Sequence, residues 1–241
     1  MRYAIFSDVH SNLSAFSNVL DYFKKQNIDK YVFVGDIVGY YTDINECIYS
    51  LRNLNPVCVA GNHDWAVIGK FNIEYFNDIA KEAILWTKNK ISIEDIYYLN
   101  SFEILYEEEN FCCVHGSLYN PEDFNYIFTI EDVRLNFSLL KKQILFVGHT
   151  HKPIVYIKDD DKIFYSLDTT IKILEDKKYI INVGSIGQPR DGDKRSCVCI
   201  YDTDKNIVIL ERLSYNIKDT VKKVFKAGLP KELGERLYTG V

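Results

Sequence analysis

Short apolar runs that stop abruptly at polar residues are the dominant pattern of this sequence. The clearest run is Tyr31 to Val34, which is followed by Gly35 and Asp36. Four consecutive aromatic or β-branched residues predict a strand that is buried on both faces, and the glycine allows a sharp turn at its end. Because open α/β sheets bind their ligands at the carboxyl ends of strands, Asp36 is expected at a ligand site.

The same pattern recurs at four further places, and all five histidines of the chain follow such runs. A single histidine is more often a structural residue than a ligand, but five at equivalent positions indicate one shared site. Residues 3–6 lead into Asp8-Val9-His10, 57–60 into Gly61-Asn62-His63-Asp64, 111–114 into His115-Gly116, and 144–147 into Gly148-His149-Thr150-His151.

Apolar residues with a helical period separate these strands and predict β-α alternation. Asp43 and Glu46 have the spacing of a capping box, as do Thr129 and Asp132, and Ser92 with Asp95 indicates another helix start. Helices are expected over about 12–26, from 44 into the third strand, over 73–90, after 92, from 129 to near 142, and over 217–227.

Short strand candidates separated by polar turns dominate the second half of the chain. Alternation followed by an antiparallel meander predicts a parallel-biased sheet packed on a second, more antiparallel one. No linker, repeat or low-complexity tract interrupts the chain, so residues 1–241 are expected to form a single domain. The strands are expected at 102–106 and 111–114, which flank the acidic turn 107–110, and at 153–158, 162–167, 170–174, 179–183, 196–201 and 206–212.

Composition places the chain among ordinary globular proteins, with 241 residues, 47% hydrophobic and 26% charged. Neither a basic, apolar leader nor a run of membrane-spanning length is evident, so we expect a cytoplasmic protein with no membrane partner. The net charge of -5 disfavours non-specific binding to long nucleic acids. Six cysteines lie in apolar surroundings without a CxxC motif, which predicts buried reduced thiols and argues against a zinc knuckle.

Aspartates, histidines and one amide at the strand ends suit Mn, Fe, Zn, Co or Ni. Seven candidates are too many for one ion and are about right for two ions that share a carboxylate. Two ions about 3.5 to 4 Å apart can clamp a phosphoryl oxygen and generate hydroxide from a bridging water. Such a site would attract anions although the whole chain is acidic. The candidate ligands are Asp8, His10, Asp36, Asn62, His115, His149 and His151.

In their order along residues 8–151, these motifs resemble the signature of the calcineurin-like metallophosphoesterases. Residues 182–185 and 188–190 resemble the compact bacterial and archaeal phosphodiesterase branch of that family. The resemblance implies an α/β fold, a four-layer α/β/β/α sandwich of two mixed sheets flanked by helices. It also implies hydrolysis of a small phosphoester, a phosphodiester or a nucleotide, by metal-bound hydroxide.

The resemblance further implies two divalent transition-metal ions, with manganese the ion expected to support activity. His63 would not bind metal but would contact the phosphate and protonate the leaving oxygen as a general acid. By the same resemblance Asp8, His10 and His151 would bind one ion, Asn62, His115 and His149 the other, and Asp36 would bridge them.

One departure concerns residues 39–41, Gly-Tyr-Tyr, where protein phosphatases of the superfamily have Asp-Arg-Gly. The substrate-binding arginine and the aspartate that orients the acid histidine are both missing there. Asp64 is then only a nearby candidate for orienting His63, and the protein-phosphatase interpretation is disfavoured.

Substrate contacts are expected from residues near these motifs. Arg190 and Arg195, in a polar loop, are candidates for phosphate binding. Tyr40, Tyr41 and Trp65 could stack on a base, although packing is the alternative. For Asn12, capping of the first helix is favoured over substrate contact.

Three alternatives stay open beside a phosphodiesterase. One is a phosphomonoesterase or protein phosphatase, and another is a non-catalytic interaction scaffold, which the complete ligand set disfavours. A nuclease acting on long DNA is disfavoured by the acidic balance. The sequence leaves the oligomeric state open.

Overall fold

Two six-stranded sheets form the centre of the structure, a computed structural model that describes residues 1–241. The strands are β1 (Arg2–Phe6), β2 (Lys30–Val34), β3 (Val57–Val59), β4 (Tyr106–Glu107), β5 (Phe111–Cys113), β6 (Ile144–Val147), β7 (Ile154–Asp159), β8 (Lys162–Ser166), β9 (Thr170–Lys172), β10 (Lys178–Asn182), β11 (Ser196–Asp202) and β12 (Ile207–Leu213).

Both sheets are mixed to the same extent, so the expected division into a parallel-biased sheet and a more antiparallel one is wrong. The first has the order β3-β2-β1-β11-β12-β9, and the second the order β4-β5-β6-β10-β7-β8. In the first, β1, β2 and β3 are parallel and the other pairings antiparallel. In the second, β5, β6 and β10 are parallel. The later strands do not form a separate antiparallel sheet, because the chain crosses between the two sheets. It adds β10 beside β6 in one sheet and β11 beside β1 in the other.

Helices cover the outer faces of the sheets, and none is both long and apolar enough to cross a lipid bilayer. They are α1 (Leu13–Phe23), α2 (Ile44–Leu54), α3 (Asn62–Val67), α4 (Asp78–Lys88), α5 (Ile93–Asn100), α6 (Ile130–Leu139), α7 (Ile217–Ala227) and α8 (Lys231–Glu235), with 3-10 turns at Ile73–Tyr75, Pro121–Asp123 and Arg236–Tyr238.

The N-termini of the helices show which of the caps predicted from the sequence are formed. Ser92 caps α5, and Thr129 with Asp132 forms the expected capping box of α6. Asp43 makes no cap, because its carboxylate instead accepts a hydrogen bond from Lys223 Nζ at 3.0 Å. The single helix expected over 73–90 is wrong, since a 3-10 turn precedes α4, which begins at its own cap, Asn77.

Side chains that alternate along the central strands fill three apolar layers. Tyr3 and Ile5 on β1 point between the two sheets, whereas Ala4 and Phe6 pack against α1 and α2. On the far side, alternate residues of β5, β6 and β10 pack against α6. This is the α/β/β/α order of the expected fold class, and it confirms that β2 is buried on both faces.

A further cluster attaches the C-terminal helices to the middle of the chain. Leu233 and Leu237 pack with Tyr41 and with Ala83 of α4. The Tyr41 hydroxyl donates to the Leu233 carbonyl at 3.1 Å. The segment after β12 is therefore packed against the loop that follows β2.

Thiol reactivity tests this packing. All six cysteines are free, and five are buried while Cys58 is half-buried. Burial raises the pKa of Cys58, like that of Cys112 and Cys197, to about 12. At pH 8 only about one thiol in ten thousand would then be the reactive thiolate. We expect Ellman's reagent to label less than one thiol per native chain and six after denaturation in guanidinium. Rapid labelling of the native chain would contradict the packing.

Candidate metal centre and substrate cavity

The seven candidate ligands all lie at one edge of the two sheets. Strands β1, β2 and β3 are parallel, as are β5 and β6, so the loops at their carboxyl ends meet where the sheets face each other. Asp8 and His10 follow β1, Asp36 follows β2, Asn62 begins α3 after β3, His115 follows β5, and His149 and His151 follow β6.

Donor atoms of these residues fall into three overlapping groups, each within 4.8 Å. The groups are Asp8, His10 and His151; Asp36, His115 and His149; and His10, Asp36 and His63. The structure therefore brings together residues that are up to 143 positions apart (8 to 151) in the sequence.

Left-handed backbone conformations place many of these side chains. Asp8 (φ 57°), His10 (φ 52°) and Asp36 (φ 62°) adopt positive φ angles, as do His149 (φ 65°) and His151 (φ 60°). Side-chain-bearing residues rarely occupy this region, and such conformations cluster at functional sites. The turns aim consecutive polar side chains inward, which a regular strand cannot do.

Asp64 holds the loop that carries Asp36. Its carboxylate accepts hydrogen bonds from the backbone amides of Asp36 (2.8 Å), Ile37 (2.9 Å), Val38 (3.3 Å) and Gly61 (3.0 Å). Burial and the nearby Asp36 charge raise the pKa of Asp64 to about 7, while these amide bonds oppose the rise. Asp64 makes no hydrogen bond to the neighbouring imidazole, so it is not the orienting partner considered from the sequence.

Two glycines allow these loops to approach so closely. A Cβ atom on Gly61 would lie 2.0 Å from Asp36 Oδ1. A Cβ atom on Gly148 would lie 2.1 Å from Ser7 Oγ and 2.5 Å from Asp8 Oδ2. Any larger residue would displace a candidate ligand, because these contacts are well below real Cβ distances.

Residues 182–190 brace the loops from behind. Asn182 Nδ2 donates to Gly148 O and to Thr150 Oγ1. Ser185 Oγ donates to Asp8 O at 2.9 Å. This segment therefore supports both the β1 and the β6 loops through hydrogen bonds outside the ligand set.

Backbone carbonyls fix the tautomers of three histidines. The Nδ1 atoms of His10, His115 and His151 lie 3.1, 2.7 and 2.5 Å from the carbonyl oxygens of Val38, Val34 and Gln188. Because a carbonyl only accepts, each Nδ1 carries a proton, so the Nε2 atom is the one that can present a lone pair to the site.

These lone pairs face one another and the carboxylates. His10 Nε2 and His151 Nε2 are 3.1 Å apart, and His151 Nε2 is also 3.1 Å from Asp8 Oδ1. His115 Nε2 lies 3.2 Å from Asp36 Oδ2. Electron-rich atoms this close repel unless a positive charge lies between them.

Unpartnered buried atoms show that the residues fit a metal. Asp8 Oδ1, Asn62 Oδ1 and His115 Nε2 are buried without a hydrogen bond, which is costly unless another partner is bound. Imidazoles whose other nitrogen donates to a carbonyl are typical of metal sites. Carboxylate, amide and imidazole donors together suit a divalent transition metal.

Protons compete for the same lone pairs. Burial alone would lower the pKa of His115, but the Asp36 carboxylate outweighs it and raises that pKa to about 9. Burial lowers the pKa of His151 to about 3. Burial opposes ionisation of Asp8, yet the surrounding histidines hold its pKa well below its usual range. The site thus keeps two carboxylates charged for a cation.

A cavity of about 600 Å³ opens over this site. Its polar side is formed by Asp36, Asn62, His63, His149 and His151, and its remaining wall includes Tyr40, Phe71, Tyr75, Phe76, Phe124, Tyr126, Arg190 and Arg236.

Aromatic packing orients His63 inside this cavity. Its ring lies 4.7 Å from His10, 4.6 Å from Tyr40 and 4.8 Å from Phe76, measured between centroids. The Nδ1 atom has no hydrogen-bond partner, and burial lowers the pKa of the ring. A Cβ on Gly39 would lie 2.8 Å from this nitrogen, so the glycine provides the space that the ring occupies.

Of the predicted substrate residues, the structure brings Tyr40 and Arg190 to the cavity. Arg190 donates to Gln188 Oε1 at 2.7 Å and to the Tyr40 hydroxyl at 3.1 Å, with no carboxylate partner. Arg195 lies outside the cavity wall, because its guanidinium pairs with Asp193 at 2.6 Å. The structure therefore gives no support to the prediction that Arg195 contacts substrate.

Asn12 is a capping residue rather than a substrate contact. Its Oδ1 accepts from Ala15 N at 3.2 Å and from Thr220 Oγ1 at 2.8 Å, and its Nδ2 donates to Gly187 O at 2.8 Å. The side chain is fully buried, so no donor or acceptor remains for a ligand.

Aromatic residues at the cavity differ from those proposed from the sequence. Tyr41 is fully buried, and Trp65 packs edge-on against Phe124 with the centroids 5.3 Å apart. Neither lines the cavity, where Tyr75 and Tyr126 lie instead. These two tyrosines, like Arg236, belong to segments that carry no motif, so only tertiary packing identifies them.

Comparison with known proteins agrees with this geometry. Residues 1–206 match the family model described as the calcineurin-like phosphoesterase superfamily domain. A Methanocaldococcus jannaschii protein, described as "Uncharacterized protein MJ0912", is 40% identical, with 98% of this chain and 97% of that protein covered. The crystal structure of a metallophosphoesterase from Sphaerobacter thermophilus is 36% identical, with a TM-score of 0.87 and coverage of 100% and 99%.

A hypothetical protein from Pyrococcus horikoshii, PH1004, shares the fold at 20% identity, with a TM-score of 0.79 and coverage of 100% and 98%. Family match, relatives and site geometry lead to one conclusion: the chain belongs to the calcineurin-like phosphoesterase superfamily and is a metallophosphoesterase.

Proposed function

We propose that this protein is a dinuclear metal-dependent phosphodiesterase that acts on phosphodiesters, nucleotides included. The observation that carries the proposal is the pair of facing Nε2 lone pairs on His10 and His151, 3.1 Å apart beside Asp8. With both Nδ1 protons donated to backbone carbonyls, neither ring has a proton left for Nε2 unless it becomes positively charged, whereas a divalent cation can bind both lone pairs.

Two ions are proposed because the donors form two groups around one carboxylate. Asp36 Oδ2 lies 3.7 Å from His10 Nε2 and 3.2 Å from His115 Nε2, so it faces both groups. Family membership likewise implies a dinuclear divalent centre. We assign Asp8, His10 and His151 to one ion and Asn62, His115 and His149 to the other, with Asp36 shared.

When bound, such ions polarise the phosphoryl group and activate water at neutral pH. Oxygen and imidazole donors are compatible with manganese, which we propose as the ion that supports activity. The centre would attract the anionic substrate into a chain of net charge -5.

We assign the binding of the phosphoryl group and the protonation of the leaving oxygen to side chains of the protein itself. Arg190 lines the cavity with a guanidinium that has only neutral partners, Gln188 and Tyr40, and we propose that it hydrogen-bonds a phosphoryl oxygen. His63 lies beside Asp36 and lines the same cavity. As the phosphorus–oxygen bond to the leaving group breaks, we propose that His63 gives a proton to that oxygen. The substrate's negative charge favours the protonated ring, against the effect of burial.

Cavity shape favours a diester over a monoester. The 600 Å³ space extends from the polar side past aromatic walls, which leaves room for organic groups beyond the phosphate. A phosphomonoesterase or protein phosphatase is the second candidate, and residues 39–41 lack the charged pair expected of the latter. A scaffold without catalysis is disfavoured, because six of the seven candidate ligands belong to groups of closely spaced donor atoms and the seventh, Asn62, lines the same cavity.

Hydrolysis of chromogenic esters tests the proposed activity. With added Mn²⁺ we expect turnover of bis(p-nitrophenyl) phosphate that exceeds turnover of p-nitrophenyl phosphate, and none in excess chelator. Asp36→Asn should lower the metal-dependent rate by about 100-fold or more. Mutation of a residue that only hydrogen-bonds a metal ligand already lowers metal affinity or activity by about 10- to 100-fold. Asp21→Asn, an exposed carboxylate paired with Lys24, is the matched control. Faster monoester turnover would support the second candidate, and no turnover of either ester would refute both.

Dependence on the leaving group tests the role of His63. His63→Ala should slow esters with poor alkoxide leaving groups by about 100- to 10,000-fold and change p-nitrophenyl esters little, because a good leaving group needs no proton. The measurement is kcat/KM across a series of leaving groups with known pKa. Equal losses for good and poor leaving groups would show that His63 does not act as the acid.

A further inference from the structure

The fourth histidine of the candidate metal centre is held differently from the other three. The rings of His10, His115 and His151 each donate from Nδ1 to a backbone carbonyl. The His149 ring makes no hydrogen bond within the protein, although the residue is buried and its donor atom lies within 4.8 Å of those of Asp36 and His115. An imidazole can turn about its bond to Cβ, because that torsion has broad minima. A contact other than a hydrogen bond must therefore orient this ring.

An aromatic stack contacts the His149 ring. The Tyr126 ring lies against the imidazole with the centroids 3.9 Å apart and the planes 14° from parallel. Phe128 in turn stacks on Tyr126, at 4.7 Å and 15°. Rings this close are in van der Waals contact, so rotation of the imidazole would drive its edge into the tyrosine ring. The stack thus restricts the rotation that the missing hydrogen bond leaves free.

Burial of apolar surface does not explain this stack. Tyr126 remains 43% exposed and Phe128 58% exposed, whereas Ile127 between them belongs to the apolar layer under α6. Two rings that stay in contact with water gain little from the hydrophobic effect. What distinguishes them is their contact with a buried candidate ligand.

The segment that carries the stack has a fixed position. Phe124 and Ile127, which flank Tyr126 in the sequence, are both buried. A Cβ atom on Gly116 would lie 2.7 Å from the Asn125 carbonyl oxygen, so the segment is in direct contact with the loop that follows β5. Packing of its neighbours therefore holds Tyr126 against the imidazole.

A bound cation would strengthen the contact between the two rings. Metal coordination withdraws electron density from an imidazole, and an electron-poor ring is attracted to the negative face of an aromatic ring. Residues that orient a metal ligand from outside the coordination sphere change metal affinity by about 10- to 100-fold when they are removed. For His149 the stack can do what the backbone carbonyls do for the other three histidines.

We infer that Tyr126, supported by Phe128, is a positioning residue of the metal centre, whose ring holds the His149 imidazole in its metal-binding orientation. This inference rests on the proposed function in one respect, because it takes His149 as a ligand of the ion assigned to Asn62, His115 and His149. It adds to the centre a segment, residues 124–128, that carries none of the ligand motifs.

Zinc titration of protein labelled with ¹⁵N only in histidine tests the inference without relying on turnover. The chain has five histidines, so the ring signals are few, and single histidine-to-glutamine variants assign them. Zn²⁺ is diamagnetic and accepts the same donors. In the wild type we expect the His115 and His149 signals to shift together as one site fills, and the His10 and His151 signals as the other fills.

Tyr126→Ala should weaken the site that contains His149 by about 10- to 100-fold and change the site of His10 and His151 by less than about 3-fold. A general disturbance of the fold would weaken both sites. Tyr126→Phe should keep the wild-type affinity, because the hydroxyl that it lacks has no hydrogen-bond partner in the protein. Phe128→Ala removes only the outer ring and should cause a smaller loss, of about 2-fold.

Tyr75→Ala is the matched control. Tyr75 lines the same cavity and is 77% exposed, but its ring contacts Phe71, at 5.5 Å, and no histidine. The variant removes an exposed tyrosine from the same wall and should keep the wild-type affinity at both sites. Thermal melting establishes that each variant is folded. Should Tyr126→Ala not fold, Tyr126→Leu replaces it, because leucine keeps apolar bulk but has no flat face.

Equal weakening of both sites by Tyr126→Ala, or no weakening of either, would overturn the inference. So would a Tyr126→Phe variant that binds as weakly as Tyr126→Ala. The metal assignment of the proposed function is judged on the wild type alone: His149 signals that do not respond to Zn²⁺ would refute that assignment and the inference with it. A wild-type response that Tyr126→Ala leaves unchanged would remove the inference only.

Discussion

Three imidazole rings are held with their lone pairs directed at neighbouring electron-rich atoms, and this constraint explains much of the surrounding structure. The carbonyls of Val34, Val38 and Gln188 fix the rings, and Asp8 Oδ1 and His115 Nε2 are buried without a hydrogen-bond partner. In an apo protein this arrangement is costly, because buried acceptors without partners destabilise the folded state. A bound cation reverses the sign of the interaction, so metal binding and folding stability are expected to be linked.

Both sheets are needed to build the site. One sheet contributes the loops after β1, β2 and β3, and the other contributes those after β5 and β6. Asp64 keeps the loop of the first sheet in place through four backbone amides, and Asn182 supports the loop of the second. The apolar layer between the sheets therefore sets the distance between the two halves of the metal centre.

Much of the site could be predicted from the sequence because its residues follow an unmistakable local pattern, an apolar run that ends at aspartate, asparagine or histidine. The positions of β10 and β11 could not, since strand partners depend on where the chain crosses between sheets. The capping box at Asp43 failed because Lys223, 180 residues away, competes for the carboxylate. Arg236 and Tyr126 were missed for the same reason, as only long-range packing brings them to the cavity.

The number of ions bound per chain tests the account most directly. Chelator-treated protein, dialysed against saturating Mn²⁺ and analysed by atomic emission, should contain two ions per chain if Asp36 is shared between two sites. Replacement of Asp8 by Asn should weaken the site that it forms with His10 and His151 more than the other. A wild-type protein that takes up one ion or none at saturation would contradict the account.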